Sequence, residues 1–168
     1  MIRFDNQPVR LEHINTRMET HGDDEVLTMD LKLSVDLPNT SLDDMSPTLR
    51  RSLYDAEKDG DILDPDRTPL LRNPPLRTLR WLGNVERVRF AFVDPDDEQI
   101  AVSFNDARFA RHEFTPKEGG TVTHCWRLQV HPQNEDVSAR ILSYLHRPDL
   151  RGALSPSDDA DDEDQHDD

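Results

Sequence analysis

The chain has 168 residues, with 20 Lys+Arg against 35 Asp+Glu and a formal net charge of −15. That length suits one domain of ordinary size, and the acid excess argues against a general polyanion coat, which is ordinarily basic. A single cysteine, Cys125, excludes an internal disulfide and fits a reducing, cytoplasmic compartment, and no apolar run has the length of a signal-peptide core or a membrane span.

Near the start, Val9-Leu11-His13 and then Ile14-Thr16-Met18 alternate, with a phase slip between His13 and Ile14 that a bulge would absorb. Leu27, Met29, Leu31, Leu33, Val35 and Leu37 alternate strictly with polar residues, which predicts a strand with one buried and one wet face. With Gly22-Asp23-Asp24-Glu25 as the turn, residues 9–20 and 26–37 are expected to form a long antiparallel hairpin. Pro38 ends the strand. Ser41, with Asp44 three residues on, is placed to cap a short helix, and Ser46-Pro47 to begin another turn. Leu42, Met45, Leu49 and Leu53 share one apolar stripe. Residues 55–80 have no period and are interrupted by Pro65, Pro69, Pro74 and Pro75, which predicts a long irregular loop.

Two more hairpins follow. Val88-Phe90-Phe92 leads through Asp94-Pro95-Asp96-Asp97 to Ile100-Val102-Phe104. Ala107 to Phe114 leads through a Pro- and Gly-containing turn to Val122, His124, Trp126, Leu128 and Val130. Asn134 heads a helix whose Val137, Ile141, Tyr144 and Leu145 share a face, and Pro148 stops it. The expected fold is an α+β domain over residues 1–148, in the order ββα–long loop–ββββα, on an antiparallel sheet of about six strands. Strands 27–37 and 122–130 are expected to be central, and residues 149–168 to form a disordered acidic tail.

Charge is unevenly spread. Between Arg67 and Arg89 six arginines face one acid, Glu86, whereas Ser155 to Asp168 carry eight acids and no Lys or Arg. Without those eight, the rest of the chain still holds 27 acids against 20 bases. Guanidinium forks bind phosphate or carboxylate in pairs of bonds, and an indole offers a base a stacking face. Arg72, Arg77, Arg80, Trp81, Arg87 and Arg89 are therefore the candidate site for a nucleic acid or another partner. Arg87 and Arg89 also fit the wet side of a strand, and Trp81 also fits a core.

Other constellations are weaker. Asp30-Leu31-Lys32 has the spacing of a metal-dependent nuclease, with Glu12, Glu19 or Asp24 as a second carboxylate, but it equally describes the wet face of a strand. His124 and Cys125 point to opposite faces, while Cys125 and His131 are about 20 Å apart along a strand, so neither pair shares a metal. Cys125 with His112 as a nucleophile–base pair reads more simply as packing. Asp94, Asp96, Asp97 and Glu98 lack the spacing of a calcium loop and read as a hairpin tip. Phosphate-binding glycine loops are missing from the sequence, and no cofactor is expected.

The run Asp30-Leu31-Lys32-Leu33-Ser34-Val35-Asp36-Leu37-Pro38-Asn39, continued by Leu42, Asp43, Leu49 and Leu53-Tyr54, resembles a family of uncharacterised phage and prophage proteins. Phe114-Thr115-Pro116-Lys117-Glu118-Gly119-Gly120 and His131-Pro132 are similar to that family too. The resemblance implies a setting among DNA-metabolism or recombination genes in a bacterial host cell, and no particular activity. The tail resembles those of single-stranded DNA-binding proteins, but it ends His166-Asp167-Asp168 where those end in an apolar residue. The expectation is a non-enzymatic, phage-type binding protein for single-stranded nucleic acid in recombination or replication. Its rivals are an acidic nucleic-acid mimic that occupies a basic protein partner, and a metal-dependent nuclease.

Overall fold

The computed structural model describes residues 1–22, 24–55, 69–83, 86–93 and 100–157. The expected hairpin tip at Asp94 to Glu98, half of the expected loop (56–68) and the acidic residues from 158 onward lie outside the described residues. The architecture corrects the expected α+β fold: six antiparallel strands close into a barrel, one further strand joins it, and few of the described residues are helical. The strands are β1 (Phe4–His21), β2 (Asp24–Pro38), β3 (Leu79–Arg80), β4 (Glu86–Val93), β5 (Ile100–Pro116), β6 (Thr121–Val130) and β7 (Arg151–Pro156). Around the barrel the order is β1-β2-β6-β5-β4-β7, with β7 returning to β1. The helices are α1 (Leu49–Leu53) and α2 (Glu135–Ser143).

Two features overturn the sequence reading. Residues 100–104 and 107–114 are one strand of 17 residues, because Asn105-Asp106 makes no turn. Val88 pairs with Ala107 and Phe90 with Phe104, so these two residues are absorbed as a bulge. Residues 149–157 are no tail: Arg151–Pro156 pairs with β4 on one side and β1 on the other, and it closes the wall. Closure also removes any central strand. The strands expected to be central, β2 and β6, pair directly from Met29↔Val130 to Pro38↔Thr121.

Alternation sets which residues fill the barrel. Leu31, Leu33 and Val35 on β2 and His124, Trp126 and Leu128 on β6 are no more than 1% exposed. Phe109 stacks on Trp126 at 5.9 Å, and Phe90 meets Phe92 edge-on at 4.9 Å. In β1 the register shifts between Leu11 and His13, so Val9 and Leu11 stay inside while the later residues change phase. One mouth is covered by α2, whose Asn134 cap accepts a hydrogen bond from the Val137 N–H and whose Ile141 and Tyr144 are buried. A second cluster, Leu42, Leu53, Tyr54, Leu71, Phe114 and Val122, plugs the other. There Ser41 caps nothing: it lies within a 3-10 turn (Asn39–Leu42), and Thr48 precedes the first residue of α1.

Gly152 is required by closeness. A Cβ there would stand 3.2 Å from the Ala91 carbonyl oxygen and from Val9 Cγ2. Gly152→Val is expected to cost about 1–3 kcal/mol by overpacking the closing strand. Leu33→Ala should cost about 2–4 kcal/mol while Lys32→Ala stays within about 0.5 kcal/mol. Chemical denaturation reads all three, and equal effects at positions 32 and 33 would refute the register.

Candidate nucleic-acid interface

The site arises where one edge of β5 loses its partner. Along that edge β4 pairs up to Glu86↔Phe109, and β3 resumes at Arg80↔Glu113 and Leu79↔Phe114. Between them the Trp81 N–H donates to the His112 carbonyl at 2.9 Å before the chain turns away. On its other edge β5 is bulged at the same level. Ala110 pairs with Arg127 and Glu113 with Cys125, so Arg111 and His112 together oppose Trp126. The bulge changes the inward phase from Ala107 and Phe109 to His112 and Phe114, and it leaves Arg111 outside with φ 53°.

A cleft of about 600 Å³ opens at this point, lined by Arg80, Trp81, Leu82, Lys32, Arg111 and Arg127, with Cys125 and Glu113 among its other walls. A second cleft, of about 320 Å³, adjoins it and is lined by Arg17, Asp30, Arg108 and Gln129; Arg111 and Arg127 border both. Register explains the gathering. Arg87, Arg108, Gln129 and Asp30 form one cross-strand row, and Ala110, Arg127 and Lys32 form the next. Several of these cations are already committed. Arg80 bonds Glu113 at 3.1 Å, Lys32 bonds Glu12 at 2.9 Å, and Arg17 holds Glu19 and Asp30. The Glu12 bond also holds the Lys32 ammonium above its ordinary pKa, so it stays charged in the cleft. Arg108, Arg111 and Arg127 are exposed and make no ion pair or side-chain hydrogen bond among the described residues.

The sequence-predicted residues do not gather into one site. Arg80 and Trp81 line the larger cleft. Arg72 is structural: its Nε donates to the Arg51 and Tyr54 carbonyls, tying residues 71–72 to α1. Arg77 is exposed outside both clefts, Arg87 is paired with Asp106 at 3.1 Å, and Arg89 lies on the wet face of β4. The sequence reading missed Arg108, Arg111 and Arg127. One signal was available, since Phe109 and Phe114 are an odd number of residues apart yet both face inward. Asp30 and Lys32, the nuclease pair, are each held by a separate partner, and no group of three or more His, Cys, Asp or Glu side chains is placed to hold a metal among the described residues.

No family model, curated protein or solved structure matches this chain significantly. No helix among the described residues is long and apolar enough to cross a membrane.

Beneath the interface runs a buried polar chain. Ser41 Oγ donates to the Pro38 carbonyl at 2.7 Å, so His124 Nε2, 2.8 Å away, carries the proton and donates to Ser41. His124 Nδ1 is then an acceptor, and His112 Nε2–H donates to it at 2.9 Å. Those roles leave His124 no lone pair toward Ser41, so the trio supports structure and not nucleophilic attack. Burial lowers the His112 pKa from 6.5 to about 4, and burial with the neighbouring His112 lowers that of His124 to about 3. Both are neutral when folded but protonate near pH 6.5 when unfolded, so the stability they contribute is full above that pH and lost as pH falls toward 4. The loss approaches about 1.4 kcal/mol per histidine per pH unit. Melting curves at pH 7.5, 6.5 and 5.5 are expected to show the decline, and His112→Phe combined with His124→Phe to flatten it.

Proposed function

We propose that this chain is a non-enzymatic binding protein that takes single-stranded nucleic acid across the outer face of β5 and β6. The observation that carries the reading is the set of three uncommitted guanidinium groups, Arg108, Arg111 and Arg127, beside a half-buried indole. Elsewhere the described cations are largely bonded to the chain's own acids, as an acidic protein requires. Here phosphate can displace water without first breaking an internal ion pair. Trp81 supplies a stacking face, and Leu82, 90% exposed, extends that apolar tip into solvent. A cleft bordered on one side by a short loop admits an extended strand with its bases splayed, whereas a duplex keeps its bases stacked away from the indole. The negative charge of the rest of the barrel limits this attraction to short range, since fields fade over about 10 Å at 0.1 M salt.

Fluorescence anisotropy with a labelled oligothymidylate tests the reading. Binding is expected near 50 mM salt, with a log–log salt slope of about −2 for three phosphate contacts and an affinity roughly 20-fold lower at 200 mM. Trp81→Ala and Arg127→Ala should each weaken binding roughly tenfold, and Arg77→Ala should leave it unchanged. With Mg²⁺ present the oligonucleotide should be recovered intact. No binding at 50 mM, or equal losses at Arg77 and Arg127, would remove this function from consideration.

A further inference from the structure

Three non-glycine residues have left-handed backbone among those described: Asn6, Arg111 and His146. Asparagine and histidine are types that visit this region readily; arginine is not. Arg111 is also the first of the two residues that oppose Trp126, and in bulges with left-handed backbone this position ordinarily belongs to glycine. A glycine would therefore serve the barrel better. Arg111 is exposed, makes no bond that would compensate the strain, and borders three clefts at once: the large one, its neighbour, and a small one beside His112. Strain of this kind persists at ligand sites, where the side chain's place matters more than the comfort of its backbone.

We propose that Arg111 is the anchor of the interface, gripping together with Arg127 a single phosphodiester that straddles the ridge between the two larger clefts. The nucleoside on one side of that phosphate enters the cleft with the Trp81 indole. Its neighbour enters the cleft of Asp30 and Gln129, where the oxygens not engaged by Arg17 or used toward Glu19, Asp30 Oδ1 and Gln129 Oε1, accept from the hydrogen-bonding edge of a base. The arrangement rests on the nucleic-acid reading above and makes it specific: one central phosphate is held by two forks, with one stacked base and one hydrogen-bonded base beside it. Arg108 supplies charge to the second cleft only.

The test compares Arg111→Gly with Arg111→Ala in the full chain, reading thermal melting and anisotropy with the same oligothymidylate. Both variants should lose binding by roughly 10–100-fold, because both remove the fork. Only glycine relieves the left-handed backbone, so Arg111→Gly should melt roughly 2–4 °C above Arg111→Ala and no lower than the parent chain. Parent-like affinity in Arg111→Gly would overturn the anchor while leaving the wider cleft reading intact. Equal melting of the two variants would overturn the argument from strain. Failure of the parent chain itself to bind would sink the nucleic-acid reading, and the anchor with it.

Discussion

Closure is the constraint on which the rest of this structure depends. Six strands must satisfy six pairings at once, and the β5–β6 seam can form only if β5 bends far enough to meet β6 while it still pairs with β4. A straight 17-residue strand does not do this. Bulges at Asn105-Asp106 and at Arg111-His112 supply the bends, and each also resets which side chains face inward. In return, closure pairs the core stretch of each wall strand on both sides, and among the described residues open edge is confined to strand ends and to β3.

The candidate interface is a by-product of that bending. The second bulge turns His112 into the barrel, where it completes the chain through His124 to Ser41, and turns Arg111 out. One irregularity thus serves the core and the surface together. The loss of β4 as a partner at the same level gives the segment carrying Trp81 room to leave the wall and border a cleft. The acid excess sharpens the result. On a basic surface three spare arginines would be unexceptional; on this one most of the described cations are already matched, and three of the unmatched ones stand together.

What the sequence disclosed was whatever alternation could express. The β1–β2 hairpin, β6 and α2 follow from apolar periods and from Asn134 at a helix start, and all three are present. β7 is hidden in the sequence because the acids that follow it make residues 149–168 read as one disordered tail. It is specified by its slot between β1 and β4, and Gly152 is there because no side chain fits. β5 was split in two because Asn-Asp is turn chemistry, and a bulge uses the same residues without reversing the chain. The site was half legible. Arg80 and Trp81 are neighbours in sequence, but Arg108, Arg111 and Arg127 meet only through sheet register. No window along the chain brings them together.

The position of β7 in chain order has a consequence for how the molecule is made. Every other wall strand precedes it, so as the chain leaves the ribosome the barrel is assembled with a gap between β1 and β4. Both edges of that gap carry unpaired backbone groups, and Val9, Phe90 and Phe92 behind them are among the most apolar parts of the core. The nascent chain is therefore an open sheet with sticky borders until its last strand emerges, and such a species is prone to pair with a neighbour's strand instead of its own. High charge carried by the growing chain works against such encounters during that interval.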